Sequence, residues 1–166
     1  MNVGSFNLLS VDINMLIWNW RGALNPNFLS LVSDLIRKHY PAILVVMETK
    51  VSGDKANSIV DRLHMDGAIL VNNIGLTSGL WVLWDSTQVE VTELSTIKQE
   101  VHALVNLNSL NSQGPWLLSI VYASLKLVKR RLLWDNLSTV ACLHALPSVI
   151  TRDFNEVLIG GDKFGG

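Results

Sequence analysis

The sequence predicts a mixed α/β domain in which two packed sheets carry helices on their outer sides. Three observations predict it: an opening β-α-β-α alternation, a long middle stretch of strand signals punctuated by Gly, Ser, Asn, Asp and Pro, and a closing helix and strand. At 166 residues the chain suits one domain of ordinary size. Hydrophobic residues make up 49% and charged residues 16%, with a mean hydropathy of +0.31. That balance excludes a disordered chain and leaves much apolar surface to be covered.

Residues 1–14 lack the basic start and small-residue cleavage site of a secretory signal and read as an N-terminal extension, with the domain proper over 15–166. Met15 to Asn19 reads as a strand opening into a loop at Gly22. A helix follows, with Asn25 as N-cap and Pro26 at its first position. Phe28, Leu31, Val32, Leu35, Ile36 and Tyr40 recur at helical spacing, Arg37, Lys38 and His39 suit the C-terminal dipole, and Pro41 stops it. Ala42 to Met47 is a continuous apolar run, the pattern of a strand covered on both faces, and it delivers Glu48 and Thr49 at its end. A second helix is expected from Asp54 to His64 behind Ser52 as cap.

Strands are then expected over Ala68 to Asn72, Leu80 to Trp84, Val89 to Leu94, Val101 to Leu107 and Trp116 to Tyr122. A helix over Leu125 to about Leu146 ends at Pro147, before a last strand from Ser148 to Asp153. Six tryptophans serve packing, with Trp81 and Trp84 the pair expected to be exposed. No apolar run approaches the ~20 residues that span a bilayer, so no membrane is expected as a partner. Cys142, the single cysteine, excludes an internal disulfide, suits a reducing intracellular compartment, and reads as a small buried helix residue. A net charge of −1 gives no global field for nucleic acid, so any such contact must be local. The dense basic group of Lys126, Lys129, Arg130 and Arg131 reads first as a solvated helix face.

Asn19, Glu48, Tyr122, Asp153 and Asn155 all fall at predicted C-terminal strand ends or just beyond them. Each has a bland reading alone: a turn cap, a surface carboxylate, a core-edge anchor. Together they fit one polar cluster at one edge of a sheet sandwich, which is what metal-assisted phosphodiester cleavage requires. That chemistry needs carboxylates for the metal, a group to orient or deprotonate a water, and donors for phosphate oxygens.

In serial order, Trp18-Asn19-Trp20-Arg21-Gly22, Glu48-Thr49-Lys50, Gly79-Leu80-Trp81-Val82-Leu83-Trp84, Val121-Tyr122-Ala123-Ser124 with Arg130-Arg131 and Leu133-Trp134, and Asp153-Phe154-Asn155-Glu156 resemble one set of motifs. It is that of the endonuclease/exonuclease/phosphatase superfamily, and most closely of the endonuclease domain of plant non-long-terminal-repeat (LINE-type) retrotransposons. The resemblance implies a four-layer α/β sandwich, incomplete here, with the second sheet largely missing. It implies an intracellular, nuclear enzyme acting on DNA with Mg2+, or Mn2+ in its place. Glu48 would ligate the metal with help from Asn19, Tyr122 would touch the phosphate, Asp153 would orient or deprotonate the attacking water, and Asn155 would position that water or the phosphate.

Three departures stand beside the resemblance. Thr151-Arg152 replaces the small glycine that precedes the family's final-strand aspartate, and Leu125 replaces its proline. The family's closing motifs, an aspartate–histidine pair and a further metal-side aspartate, have no counterpart, and none of His39, His64, His102 and His144 falls in a matching motif. A C-terminally truncated domain of weak or no activity is therefore expected. The alternatives are a non-catalytic retrotransposon relic or interaction module, and a phosphatase or phosphodiesterase of the same superfamily.

Overall fold

The computed structural model describes residues 2–8, 11–20, 22–72, 79–97, 100–109, 114–122 and 146–153, together with positions 135, 138, 139 and 142; for 2–8, 11, 12, 122, 152 and 153 it describes the backbone only. Among the described residues nine strands form two sheets. The first has the order β1 (Asn2–Leu8), β2 (Val11–Asn19), β3 (Ile43–Met47), β5 (Leu80–Trp84), β4 (Gly67–Val71). The second has the order β6 (Val89–Ile97), β7 (Glu100–Leu107), β8 (Trp116–Tyr122), β9 (Ser148–Asp153). Two neighbouring pairs run parallel, β2 with β3 and β8 with β9; all others are antiparallel.

Alternation of side chains along the strands decides the layers. In β3, Ile43, Val45 and Met47 face the second sheet, where they meet Val101, Ala103 and Val105 of β7 and Trp116, Leu118 and Ile120 of β8. Leu44 and Val46 face the other way, onto α1 (Phe28–His39) and α2 (Asp54–Val60) through Phe28, Val32, Ala56 and Val60. Every residue of β3 is buried, which is what its unbroken apolar run foretold. Each such side chain contributes about 1.5–3 kcal/mol relative to exposure.

Several sequence expectations shift. Residues 1–14, read as an extension, instead contain β1 and the start of β2, which pair antiparallel from Asn2↔Ile17 to Leu8↔Val11. Helix α1 begins at Phe28, two residues past Pro26, because the Asn25 side chain accepts the Asn27 N–H (3.0 Å) and closes a turn first. Gly53, with φ 61°, stands where Ser52 was expected to cap α2. Trp81 is fully buried, not exposed, since β5 is an interior strand with helices on that face; its ring meets Phe28 edge-on at 6.0 Å. Trp84 is half-buried. Cys142 is exposed, on the helical face it shares with Asp135, Ser138 and Thr139, all solvent-facing at i, i+3, i+4 and i+7 spacing. The rest of the helix expected over 125–146 lies outside the described residues. Among the described residues no helix is long and apolar enough to cross a membrane.

On the far face of the second sheet, His102 and Ser119 are register partners and both buried, with His102 Nδ1 2.9 Å from Ser119 Oγ. His102 Nε2 stands 3.5 Å from Glu100 Oε2, close enough for electrostatic attraction but without hydrogen-bond geometry. This pairing specifies strand register, because a slip of one residue would strand the imidazole among apolar groups.

At one end of the sandwich the chain turns are tied by two carboxylates. Asp66 accepts the Ser86 backbone N–H (2.8 Å) and its hydroxyl; Asp85 accepts from Thr87 N (2.9 Å), Thr87 Oγ1 (2.6 Å) and Gln88 Nε2 (2.8 Å). The Ser86 hydroxyl holds the Asp66 carboxyl below its ordinary value of 3.8, and Gln88 and then Thr87 do the same for Asp85. A depressed folded-state value means the stabilisation is present above pH 3.8 and is lost as pH falls below it towards the folded values. Asp66→Asn and Asp85→Asn are expected to flatten the acid limb of a stability-versus-pH curve below about pH 4, measured by urea unfolding; an unchanged limb in both contradicts it.

Gly67 is paired with Trp84, and a Cβ there would overlap the indole ring. Gly67→Ala is expected to destabilise by about 1–3 kcal/mol in the same assay; a neutral result means that Trp84 does not rest on Gly67.

Candidate active site at the strand ends

The parallel pairs set the site. Asn19 ends β2 opposite Met47, the last residue of β3, and Glu48 follows directly. Tyr122 ends β8 opposite Asp153, the last residue of β9. The two sheets are oriented so that these ends coincide. Ile13 and Ala42, at the starts of β2 and β3, line one cleft with Leu107 and Asn108 at the end of β7. β8 is antiparallel to β7, with Val105 opposite Trp116, so β8 starts at that end and finishes at the other. All four C-terminal strand ends therefore lie at one rim, opposite the Asp66–Asp85 end.

Residue position along the strands adds to this. Asn19 continues the Ile13-Met15-Ile17 series that packs towards the second sheet. Tyr122 continues the Trp116-Leu118-Ile120 series, and Asp153 the Val149-Thr151 series, while Arg152 pairs with Val121 on the alternate series. Asn155 lies outside the described residues, as does Arg21.

Asn19 and Glu48 are joined directly: Asn19 Nδ2 donates to Glu48 Oε1 at 3.3 Å. Glu48 is 5% exposed, and its backbone is left-handed, φ 58°, as is that of Lys50, φ 53°. Such conformations cost about 1–3 kcal/mol each for non-glycine residues and persist only where the surroundings impose them. Here the surroundings are backbone hydrogen bonds from both sides. Trp20 N donates to Met47 O (3.1 Å), Gly22 N to Glu48 O (2.9 Å) and Ala23 N to Thr49 O (2.8 Å), while Thr49 N donates to Gly79 O (3.2 Å). Gly22 has φ 95°, which lets its N–H reach back to Glu48. Beneath the loop, Trp18, Trp20 and Phe28 form an aromatic cluster with Trp18 and Trp20 centroids 4.7 Å apart, and Trp20 Nε1 donates to Gly22 O (3.2 Å).

The donor chemistry fits a hard divalent cation: a buried carboxylate beside a neutral amide offers oxygen ligands of the kind Mg2+ prefers. Among the described residues no group of three or more His, Cys, Asp or Glu comes together, so the described donors at this rim are Glu48 and Asn19. Sequence reasoning named both. It named Thr49 and Gly79 within motifs but gave neither a role, because their contact depends on two segments about thirty residues apart meeting edge to edge.

No protein-family model matches the chain, and no curated protein matches it in sequence. Solved structures do match. An endonuclease/exonuclease/phosphatase family protein from Bacteroides thetaiotaomicron aligns with TM-score 0.61 at 11% identity, covering 86% of this chain and 62% of its own. The fold is that of the endonuclease/exonuclease/phosphatase proteins. The human Nocturnin catalytic domain with bound sulfate aligns with TM-score 0.58 at 16% identity, over 87% of this chain and 64% of its own. D. rerio TDP2 in complex with a single-strand DNA product aligns with TM-score 0.53 at 10% identity, over 84% of this chain and 58% of its own. The chain thus spans less than two thirds of the length of the structures it matches.

Asn19→Ala removes the donor facing Glu48 and is expected to cost about 1 kcal/mol of stability in urea unfolding; no loss at all would mean the 3.3 Å contact carries no weight.

Proposed function

We propose that this chain carries a Mg2+-dependent phosphodiester-cleaving site of the DNA endonuclease kind, nearest in its motifs to the endonuclease domain of plant LINE-type retrotransposons. The observation that carries the reading is the Asn19–Glu48 hydrogen bond at the rim where β2, β3, β8 and β9 all end. Similarity of fold to a sulfate-bound catalytic domain and to a complex with a DNA product supports an oxyanion-binding role. A tetrahedral sulfate has the shape and charge of a phosphate group.

In this reading Glu48 holds the metal, with Asn19 fixing the carboxylate and contributing to the metal and phosphate region. When bound, the cation polarises a phosphate oxygen and offsets charge that builds up on it. Asp153 orients or deprotonates the attacking water, Asn155 positions that water or the scissile phosphate, and Tyr122 donates to a phosphate oxygen. The partner is DNA, and the site of action intracellular, including the nucleus. The net charge of −1 leaves binding to local contacts, so affinity is expected to be modest and to fall with salt.

Two measurements test the proposal. Mg2+ is expected to raise the melting temperature of the wild-type chain but not of Glu48→Gln. Nicking of supercoiled plasmid is expected to require Mg2+, to stop with EDTA, and to fall about 10²- to 10⁴-fold in Asp153→Ala. Cleavage that survives the Asp153 substitution overturns the site assignment. No Mg2+ stabilisation and no nicking points to a non-catalytic relic or interaction module, and turnover of a phosphorylated sugar or lipid headgroup in a substrate panel points to the phosphatase alternative.

A further inference from the structure

The turn that presents Glu48 is held by a contact outside the metal-side residues. Thr49 is fully buried between two left-handed residues, Glu48 and Lys50. Both of its backbone polar groups are tied, its N–H to Gly79 O (3.2 Å) and its C=O to Ala23 N (2.8 Å). Its hydroxyl is the atom that faces the missing side chain of Gly79. A Cβ on residue 79 would overlap Thr49 Oγ1 and would stand 3.3 Å from Val71 O and 3.5 Å from Val51 O, so backbone walls the slot on its other sides. Among the described residues Thr49 Oγ1 has no hydrogen-bond partner. A buried hydroxyl that makes no hydrogen bond is a cost, so what the side chain supplies at this position is its shape.

We propose that Thr49 and Gly79 are a positioning pair: the Thr49 side chain fills a slot that exists only because residue 79 lacks a Cβ, and this locks the left-handed turn that aims Glu48 at Asn19. The pair acts through Glu48 and touches no substrate. Register explains why these two meet. β5 is antiparallel to β3 with Met47 opposite Leu80, so continuing the ladder one step brings Gly79 against the residues that follow Met47. The functional consequence rests on the reading that Glu48 holds a divalent cation. Residues that orient a ligand in this way change metal affinity about 10- to 100-fold when disturbed.

The test is a compensating double-mutant cycle in the full chain with two readouts, one of them independent of metal. The first is the NMR signal of the Asn19 side-chain amide without metal, which reports where the Glu48 carboxylate sits. The second is the Mg2+ concentration that gives half of the melting-temperature rise. Gly79→Ala and Thr49→Ala are each expected to move the Asn19 signal and to raise the half-saturating Mg2+ concentration about 10-fold or more. Combining them is expected to restore both, because the methyl group introduced at position 79 then occupies the volume that Thr49 vacates. Thr49→Val, which keeps the shape and removes the hydroxyl, is expected to match wild type in both readouts.

If Gly79→Ala alone does not fold, the contrast between Thr49→Val and Thr49→Ala decides. Loss of Mg2+ affinity in Thr49→Val, or an Asn19 signal that does not move in Thr49→Ala, overturns the positioning pair. An Asn19 signal that behaves as expected in a wild-type chain showing no Mg2+ response leaves the pair standing and overturns the metal reading instead.

Discussion

The direction in which two strand pairs run is the constraint on which the rim depends. β2 with β3 and β8 with β9 are the parallel neighbours, and parallel neighbours require a crossover that carries the chain back along the outside of the sheet. α1 lies within the first crossover, with Phe28 and Val32 buried against the outward-facing Leu44 and Val46; residues 123–147 link the second pair. Each crossover returns the chain to the same starting end, so four strands finish together. Backbone N–H and C=O groups beyond those ends are no longer committed to the ladder, which is why polar side chains and ligands gather at the carboxyl ends of parallel strands.

What the sequence made legible is what local patterning encodes. The unbroken run in β3 gave its two-sided burial, and strand endings at Trp84 and Leu107 were readable because Asp85 and Asn108 follow them. Trp81 misled, since a tryptophan in an apolar strand carries no mark of whether a helix will cover it; the cover comes from Phe28, more than fifty residues away. Residues 1–14 misled for the opposite reason. Their mixed, weakly alternating composition resembles a tail, and only pairing with β2 makes them a strand. Asn25 shows a third limit: the same side chain that favours a helix cap also closes a turn onto its own backbone, and here the turn wins and the helix starts later.

The candidate site was legible residue by residue but not as a geometry. Asn19 and Glu48 were marked by position at strand ends, yet the bond between them depends on parallel register, which no local signal specifies. Tyr122 and Asp153 prove to be register partners for the same reason. The left-handed backbone at Glu48 had no signature whatever, because the residues that favour that conformation are Gly and Asn, and this one is neither. The conformation is imposed from outside, by Trp20, Gly22 and Ala23 on the β2 side and by Gly79 on the β5 side.

That two-sided clamp explains how a carboxylate can be nearly buried and still well placed at an open rim. Backbone bonds from Gly22, Ala23 and Gly79 fix the main chain of Glu48 and Thr49, and none of these bonds is made to the carboxylate. The Asn19 amide adds one contact to Oε1, directional but neutral, so it orients the group without competing as a charge. At the other end of the sandwich the arrangement is reversed. Asp66 and Asp85 spend their oxygens on Ser86, Thr87 and Gln88, closing turns instead of leaving them for a ligand. The two ends use the same residue chemistry for different purposes. The difference is that Asp66 and Asp85 tie the backbone through their carboxylates, whereas at Glu48 the backbone on both sides ties the residue that carries the carboxylate.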